Sequence, residues 1–444
     1  MRLFINTLLV AAATLLATAC KPDAVVPAES VDLQAPARIY PDYSNVVIPP
    51  NIAPLNFMVR EEGSEFVCQI SSTDGRNEVL TAAGEDGKFR IDSLEWRGIL
   101  QASRGNDLEV NVYARRGDKW MHYPPFHITV ATDEIDPYLT YRLIEPSYEL
   151  YRQLGIYERC LTNFHERPIY ENGDTYSLNN NHCINCHTPQ QYGTGGNSLF
   201  HVRGDHGGTI FIHGDKVERI NMKNDSTLGN AVYPAWHPRK PWIVFSSNLT
   251  GQAFHIMNND KIEVIDYGSD LVFYDVEENR ISNITKTTVE METFPTWNPE
   301  GTRLYYCSAT FTPLGEVPDT LKGEDHTLAC SDSVISHFDE VRYRLMTLDF
   351  DPSSRRFSAP HLLLDCPAMT KSATLPRVSP DGRWLLFTMG DYGQFHIWHK
   401  TSDLYVMDLH AVAQGTSPTE AYRPLEAANS NNVESYHTWS SNGR

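Results

Sequence analysis

Short runs of hydrophobic residues separated by polar turns cover most of the chain, and this pattern predicts a protein built mainly of β-strands. Apolar and polar positions alternate from Leu108 to Tyr113 and from Phe126 to Val130, as expected for strands with one buried face. Between them, residues 115–118 (Arg-Arg-Gly-Asp) have the composition of a turn. We therefore predict a β-sandwich-like domain over residues 39–132.

The pattern changes over residues 133–208. Apolar residues between 148 and 154 have the spacing of one helix face, and Gly155 is placed to end that helix. A polar stretch rich in Asn, Gly and Ser follows at 171–181. We expect this segment to be a short helix followed by loops.

A repeated turn marks the C-terminal part. The repeats are 233–238 (Tyr-Pro-Ala-Trp-His-Pro), 294–301 (Phe-Pro-Thr-Trp-Asn-Pro-Glu-Gly), 375–382 (Leu-Pro-Arg-Val-Ser-Pro-Asp-Gly) and 436–443 (Tyr-His-Thr-Trp-Ser-Ser-Asn-Gly). An apolar run follows each of the first three, and the longest spacing is explained by an insertion at 312–337. A strand-only repeat of this length predicts the blades of a β-propeller. We expect the apolar run after each turn to be the inner strand of its blade, because such a run is buried on both faces.

These repeats resemble the WD40-like blades of TolB-type β-propellers, whose signature is Trp-Ser-Pro-Asp-Gly followed by an apolar strand. The resemblance covers residues 209–444 and implies the fold but no particular activity. The sequence stops at Arg444, where a further inner strand is expected to begin. We therefore expect an incomplete, truncated propeller within a mainly β chain.

The N-terminus has the features of an export signal. Arg2 supplies a positive charge, residues 3–16 are mostly apolar but too few to span a bilayer, and small residues precede Cys20. The site resembles a bacterial lipobox, although Ala17 stands where Leu is usual, and an ordinary signal peptidase would cut the same bond. We predict a lipoprotein signal peptide at 1–20, lipidation of Cys20, and a tether at 21–38. This places the protein in the cell envelope, anchored by lipid on a periplasmic or outer membrane surface.

The charge balance excludes some partners. Lys and Arg total 37 against 56 for Asp and Glu, a formal net charge of −19. A nucleic-acid-binding protein needs a basic face, and docking on anionic lipid needs a polybasic patch. We expect no nucleic-acid partner, and membrane attachment through the lipid alone.

Residues 181–187 (Asn-His-Cys-Ile-Asn-Cys-His) contain the spacing Cys-x-x-Cys-His. The two thiols, Cys183 and Cys186, can add to the two vinyl groups of one porphyrin, and His187 is then placed to bind the iron as proximal axial ligand. Export agrees with this interpretation, because thioether attachment takes place outside the cytoplasmic membrane. A redox dithiol and a zinc site that includes His182 are alternatives, but the first usually opens a helix and the second usually has two widely separated ligand pairs. We predict one covalent haem c.

The sixth iron ligand is left open by the sequence. The candidates near the motif are His201, His206 and Met222, with His201 favoured. A remote ligand or an open coordination site are the alternatives. Two histidine ligands favour a low reduction potential, a methionine raises it, and an open site permits peroxide chemistry.

The whole chain resembles envelope lipoproteins that join a c-type haem motif to TolB-like propeller blades. The resemblance implies a role in electron transfer or redox sensing, with the propeller as a docking platform for an unknown redox partner protein. One alternative is a binding or scaffold lipoprotein of the envelope. Another is a haem peroxidase-like enzyme, which needs an open iron site with His201 or His206 as acid–base group. No Gly-x-Ser-x-Gly, P-loop or His-Glu-x-x-His motif is present, so no catalytic residue is predicted.

Five further cysteines lie outside these motifs, at positions 68, 160, 307, 330 and 366. A disulfide between Cys307 and Cys330 would tie the insertion to its blade. Buried free thiols are the equally common alternative.

Overall fold

The computed structural model describes residues 24–74, 79–84, 86–144, 154–174, 182–193, 196–204, 207–254, 262–311, 316–318 and 320–444. The predicted export signal with Cys20, the predicted helix up to residue 153, and His206 lie outside these residues. The chain divides into two compact units, one of residues 1–139 with 159–165 and one of residues 140–158 with 166–444. Among the described residues, no helix has the length and apolar character needed to cross a bilayer.

The first unit is a β-sandwich-like domain. Its strands are β1 (Val31–Asp32), β2 (Ile39–Tyr40), β3 (Val47–Ile48), β4 (Phe57–Val59), β5 (Phe66–Ser72), β6 (Val79–Gly84), β7 (Lys88–Phe89), β8 (Asp107–Arg116) and β9 (Lys119–Val130). One sheet has the order β1-β9-β8-β5-β6, with β3 also paired to β9, and a second has the order β2-β4-β7. The predicted hairpin is confirmed, since β8 and β9 pair from Arg116↔Lys119 outward and Gly117 in the turn has a φ of 59°. Part of the predicted tether joins this domain, because β1 pairs with β9.

A helix that the sequence analysis did not predict packs on this domain. Helix α1 (Ser93–Ala102) begins at Asp92, whose carboxylate accepts hydrogen bonds from the backbone N–H groups of Leu94 and Glu95. Its apolar residues Trp96 and Leu100 enter the core of the domain. The helix is short, so its periodicity is hard to separate from that of the surrounding strands.

The second unit consists of small antiparallel sheets that follow one another along the chain. The strands are β10 (Tyr138–Leu143), β11 (Gly155–Cys160), β12 (Glu166–Glu171), β13 (Cys183–Pro189), β14 (Asn197–Arg203), β15 (Gly208–His213), β16 (Lys216–Ile220), β17 (Ala231–Trp236), β18 (Trp242–Phe254), β19 (Ile262–Asp275), β20 (Arg280–Asn283), β21 (Glu290–Trp297), β22 (Arg303–Thr310), β23 (Arg344–Asp351), β24 (Arg356–Phe357), β25 (His361–Leu364), β26 (Ser372–Val378), β27 (Trp384–Gly390), β28 (Asp403–Asp408) and β29 (Tyr422–Pro424). The helices are α2 (Gly323–Ser336) in the predicted insertion, α3 (Leu409–Ala413) and α4 (Pro418–Ala421).

These sheets have the form of propeller blades. Strands β10–β12 make a three-stranded sheet, β13–β16 and β26–β29 make four-stranded sheets in chain order, and β17–β20 and β21–β25 make two more that are joined by one parallel bridge. The chain is therefore mainly β, and its second unit is propeller-like. The segment expected to be helix and loops instead contains strands β10–β14. The boundary expected at residue 209 falls inside β15, within the sheet β13–β16.

In the sheets β13–β16, β17–β20, β21–β25 and β26–β29 the first strand is the innermost one, which corrects the sequence prediction. Strands β13, β17, β21 and β26 contact one another in succession, so they surround a common axis. The apolar runs after the turns, such as Trp242–Phe245, form second strands. These runs are apolar because both faces of the strand are covered. On β18, Ile243 packs into one core with Trp236, and Val244 packs into another with Trp297.

A backbone feature repeats on the innermost strands. Cys186, Tyr233, Phe294, Leu375 and Tyr436 all have φ between 48° and 55°. In the four sheets with an assigned ladder, this residue lies in a β-bulge that shifts the register. Glycines with positive φ occupy the matching turn position at residues 193, 301, 382 and 443. The Cys-x-x-Cys-His segment is therefore one more copy of the blade repeat.

Tryptophans connect one blade to the next. The indole Nε1 groups of Trp236, Trp297 and Trp439 donate hydrogen bonds to the backbone carbonyls of Thr188, Ala235 and Arg377, at 3.2, 3.2 and 3.0 Å. Each acceptor lies on the innermost strand of the preceding repeat. The repeat at 436–443 thus contacts the sheet β26–β29 in the same way as the earlier repeats contact their neighbours.

Of the two alternatives for Cys307 and Cys330, the structure has free thiols and no disulfide. All seven described cysteines are unpaired. Cys307, Cys330 and Cys366 lie in one apolar core with Phe294 and Leu375, and burial raises the pKa of each of these thiols. They act as small apolar side chains.

Candidate haem attachment site

The predicted attachment motif lies on β13, the innermost strand of its blade, and not in a loop. The register pairs Cys183 with Arg203 and Asn185 with His201 on β14. Cys186 and His187 form the bulge, so neither has a paired partner, and Cys186 has a φ of 55°. The bulge directs Cys186 toward the axis, in the position that an aromatic or leucine residue occupies in the other repeats.

The two thiols are partly buried and free. The Cys183 sulfur accepts a hydrogen bond from Nη2 of Arg142 at 3.5 Å. The Cys186 sulfur accepts one from the backbone N–H of Tyr233 at 3.5 Å. Burial raises the pKa of the Cys186 thiol, against the lowering effects of the Tyr233 N–H and of the Arg203 and Arg142 charges. Among the described residues, both are therefore free cysteines, and both lie on the innermost strand of their blade.

His187 bridges to the neighbouring sheet. Its Nε2 donates a hydrogen bond to the Thr140 carbonyl on β10 at 3.2 Å, and burial lowers its pKa. His437, at the matching repeat position, makes the same contact, with Nε2 3.2 Å from the Leu386 carbonyl on β27. This equivalence was not predicted, although a His-Thr pair follows Cys186 and Tyr436 alike.

His201 is the described candidate with the most unusual surroundings. It is 3% exposed, and neither ring nitrogen has a hydrogen-bond partner among the described residues. His201 pairs across the sheet with Asn185 on β13 and Thr209 on β15, and each of these has a buried side-chain oxygen that is likewise unpartnered within the described part of the chain. Burial lowers the pKa of His201 to about 4, with a smaller effect of Arg203, so its imidazole is neutral at pH 7.

The register separates His201 from His187. His201 lies two positions after Leu199 on β14, so the two side chains point to the same face of the sheet. Leu199 packs against the next sheet with Trp236. His187 instead contacts β10 on the preceding side. The two histidines therefore face different neighbouring sheets, and both can bind one iron only if the bulge on β13 changes its conformation.

Met222 lies in an apolar core. It is 4% exposed and packs with Leu199, Phe211 and Trp236. A buried methionine in such surroundings has a packing role. The third candidate, His206, falls outside the described residues.

Arginines from other strands lie near the two thiols. Arg142 contacts Cys183, and the charges of Arg142 and Arg203 act on Cys186. Burial raises the pKa of Tyr436, and the charges of Arg142 and of Arg377, on the innermost strand β26, oppose that rise. No sequence signal links these arginines, because they come from three separate sheets.

The thiols fit covalent attachment of a haem, since both are free and lie on one strand near the axis. His187 fits the role of iron ligand after one local change. A nitrogen that binds iron carries no proton, so ligation by Nε2 of His187 requires the bond to Thr140 to break. Within the described part of the chain, no three His, Cys, Asp or Glu side chains converge to hold a metal ion.

Comparison with known proteins gives structural matches only. No protein-family model matches the chain, and no curated protein is similar in sequence. Among solved structures, the tricorn protease matches with a TM-score of 0.31 and 12% identity, over 90% of this chain and 36% of that chain. The chain thus spans about a third of the length of that protein.

Two further structures match at similar levels. The Dos1 propeller has a TM-score of 0.31 and 13% identity, over 92% of this chain and 90% of that chain. A nidogen/laminin complex has a TM-score of 0.29 and 9% identity, over 58% of this chain and 83% of that chain. These scores are low, so the assignment of blades rests on the repeated geometry within this chain.

Proposed function

We propose that this protein is a c-type haem protein of the cell envelope that transfers electrons or senses redox state. The observation that carries the proposal is the Cys-x-x-Cys-His sequence with two free thiols on an innermost propeller strand. The haem, when bound, supplies a one-electron iron couple. The surrounding sheets serve as a rigid platform on which a redox partner protein docks.

The chain's own residues have defined tasks in this proposal. Cys183 and Cys186 would hold the haem through two thioether bonds. His187 would be the proximal iron ligand through Nε2, the nitrogen that now contacts the Thr140 carbonyl. The innermost strand, held by the Trp236–Thr188 hydrogen bond of 3.2 Å, limits how far the attached group moves.

The test is a pyridine haemochrome spectrum of the full chain produced together with a c-type haem maturation system. The proposal expects one covalently bound haem per chain with the spectrum of a double thioether. Purified protein without covalent haem under these conditions would remove the redox function and leave the propeller as a scaffold.

His201→Ala is expected to convert a low-spin ferric haem to high-spin and to allow CO binding in the reduced state. His201 is the proposed sixth ligand because, among the described residues, neither of its nitrogens has a hydrogen bond to lose on binding iron. With His187 as the other ligand, this requires the bulge on β13 to change its conformation. Asn185 and Thr209, in the same row, each offer a free oxygen to the second ring nitrogen. Absorption and electron paramagnetic resonance spectra measure the change.

Met222→Ala and His206→Ala are the comparison variants. Met222→Ala should keep the spectrum and lower stability by about 2–4 kcal/mol, since it empties a core position. If replacement of Met222 or His206 changes the haem spectrum and replacement of His201 does not, the sixth ligand is that other residue and not His201. CO binding by the unmodified protein would instead favour an open iron and the peroxidase-like alternative.

The location of the protein is part of the proposal. Cys20 follows an apolar segment and small residues, and we propose that it carries the lipid that anchors the chain to a membrane of the envelope. Cys20→Ala should move the protein from the membrane fraction to the soluble periplasmic fraction. Metabolic labelling with a radioactive fatty acid checks this, and label retained by the variant would contradict it.

A scaffold lipoprotein is the second candidate function. It is favoured by the contact of His187, whose Nε2 bridges two sheets as His437 does. In that case the motif stabilises the joint between blades. Replacement of His187 would then lower the melting temperature of haem-free protein and leave nothing to observe in haem spectra.

A further inference from the structure

The first unit contains a cleft of about 350 Å³, which the proposed haem function does not use. Helix α1 forms one wall, and the others are formed by residues of the loop 50–54, by the segment 134–137 and by Thr162. All of these residues belong to the first unit. A volume of this size is typical of pockets that hold small molecules.

Hydrogen bonds hold the walls of the cleft together. Nδ2 of Asn51 donates to the Ile135 carbonyl at 2.8 Å, and the backbone N–H of Ile135 donates to Oδ1 of Asn51 at 3.0 Å. The backbone N–H of Leu161 donates to the Pro137 carbonyl at 2.7 Å, and the Leu161 carbonyl accepts from the N–H of Ala53 at 2.8 Å. The cleft is therefore formed before a ligand binds.

Much of the lining is apolar or has its polar groups already paired. Pro50 is buried. Trp96 is 1% exposed, and its indole Nε1 donates to the Ile52 carbonyl at 3.1 Å. Nε2 of Gln101 donates to the Pro50 carbonyl at 3.5 Å, and Oε1 of Gln101 accepts from Nε of Arg104 at 2.9 Å. The apolar body of a ligand can therefore lie here without leaving these polar groups unpaired.

Arg97 gives the cleft a positive charge. It is exposed and lines the cleft, and no hydrogen bond or ion pair to another described residue occupies its guanidinium group. The carboxylate of the lining, Glu134, is already paired with Arg104. Ser93, one turn before Arg97 on the same helix, adds an exposed hydroxyl to the lining. A guanidinium group in this position matches the two oxygens of a carboxylate.

We propose that this cleft binds a small organic acid with an apolar body. The body lies against Pro50 and Ile135, and the carboxylate pairs with Arg97 and accepts a hydrogen bond from the Ser93 hydroxyl. The proposal is independent of the haem, because every residue that it uses belongs to the first unit.

The experiment is isothermal titration of the full chain made without the haem maturation system. The probes are 3-phenylpropionate and its neutral amide, 3-phenylpropionamide. We expect saturable binding of the acid and binding of the amide that is weaker by about tenfold or more. Arg97→Gln should weaken the acid by a similar factor and leave the amide unchanged. Arg90→Gln is the matched control, because Arg90 is an exposed arginine of the same unit outside the lining.

A second variant tests the cleft itself. Ser93→Trp places a large side chain in the lining from an exposed position, so it should abolish binding of both probes while circular dichroism shows a folded chain. The absence of saturable binding of the acid would overturn the proposal. Acid binding that Arg97→Gln and Ser93→Trp both leave unchanged would also overturn it, since the acid would then bind elsewhere.

Discussion

Replacing both Cys183 and Cys186 with alanine is expected to abolish covalent haem completely. The two thioether bonds are the only link that survives denaturation, and each needs one of these sulfurs. Haem staining of a denaturing gel, with the pyridine haemochrome spectrum, measures the loss. The magnitude is all or none, because a haem held by iron coordination alone is released when the chain unfolds.

Single replacements and one control sharpen this result. Cys183→Ala and Cys186→Ala should each leave one thioether bond, which shifts the haemochrome band toward that of a haem with a free vinyl group. Cys330→Ala removes a cysteine from the apolar core and should leave haem content unchanged. Equal staining of the double variant and the parent would refute attachment at this motif.

Replacing Gly301 with alanine is expected to destabilise the second unit strongly, by about 3–4 kcal/mol. Gly301 has a φ of 72°, and a Cβ there would lie 2.3 Å from Nε2 of His237. His237 is 2% exposed and donates from that nitrogen to the Gly301 carbonyl at 3.1 Å. The new methyl group must displace His237 from its place between Trp242 and Trp297. Urea unfolding measures the change.

Gly382→Ala separates backbone strain from the clash. Gly382 occupies the same repeat position with a φ of 73°, but its nearest neighbour, Pro299, would lie 3.5 Å from a Cβ. Gly382→Ala should therefore lower the free energy of unfolding only through the strain of the left-handed backbone, by about 1 kcal/mol. Similar losses in the two variants would mean that the His237 contact adds nothing to stability.

Several elements follow from local sequence patterns. The β8–β9 hairpin was predicted from alternation and from the turn at 115–118, and the structure confirms it. The runs after the repeated turns were correctly predicted as strands. Their place in the blade was predicted wrongly, because a strand covered by sheets on both faces is as apolar as an innermost strand was expected to be.

Few sequence features indicate that the haem motif is part of the blade repeat. Cys186 and His187 stand where Tyr233 and Pro234 stand in the next repeat, so the aromatic–proline signal is absent. The remaining signals are Gly193 at the turn and the His-Thr pair shared with 437–438. They are too weak alone, since short polar pairs and glycines recur by chance throughout a turn-rich chain.

The sequence by itself determined that the chain is rich in strands, where its repeated turns lie, and which residue types its one chemical motif contains. Those features depend on neighbouring residues, through alternation, turn chemistry and fixed spacing. Only the tertiary structure decided that the motif lies on an innermost strand, that His187 contacts Thr140, and that Arg142 contacts Cys183. These contacts join residues far apart in the chain, and the packing of successive sheets around an axis brings them together.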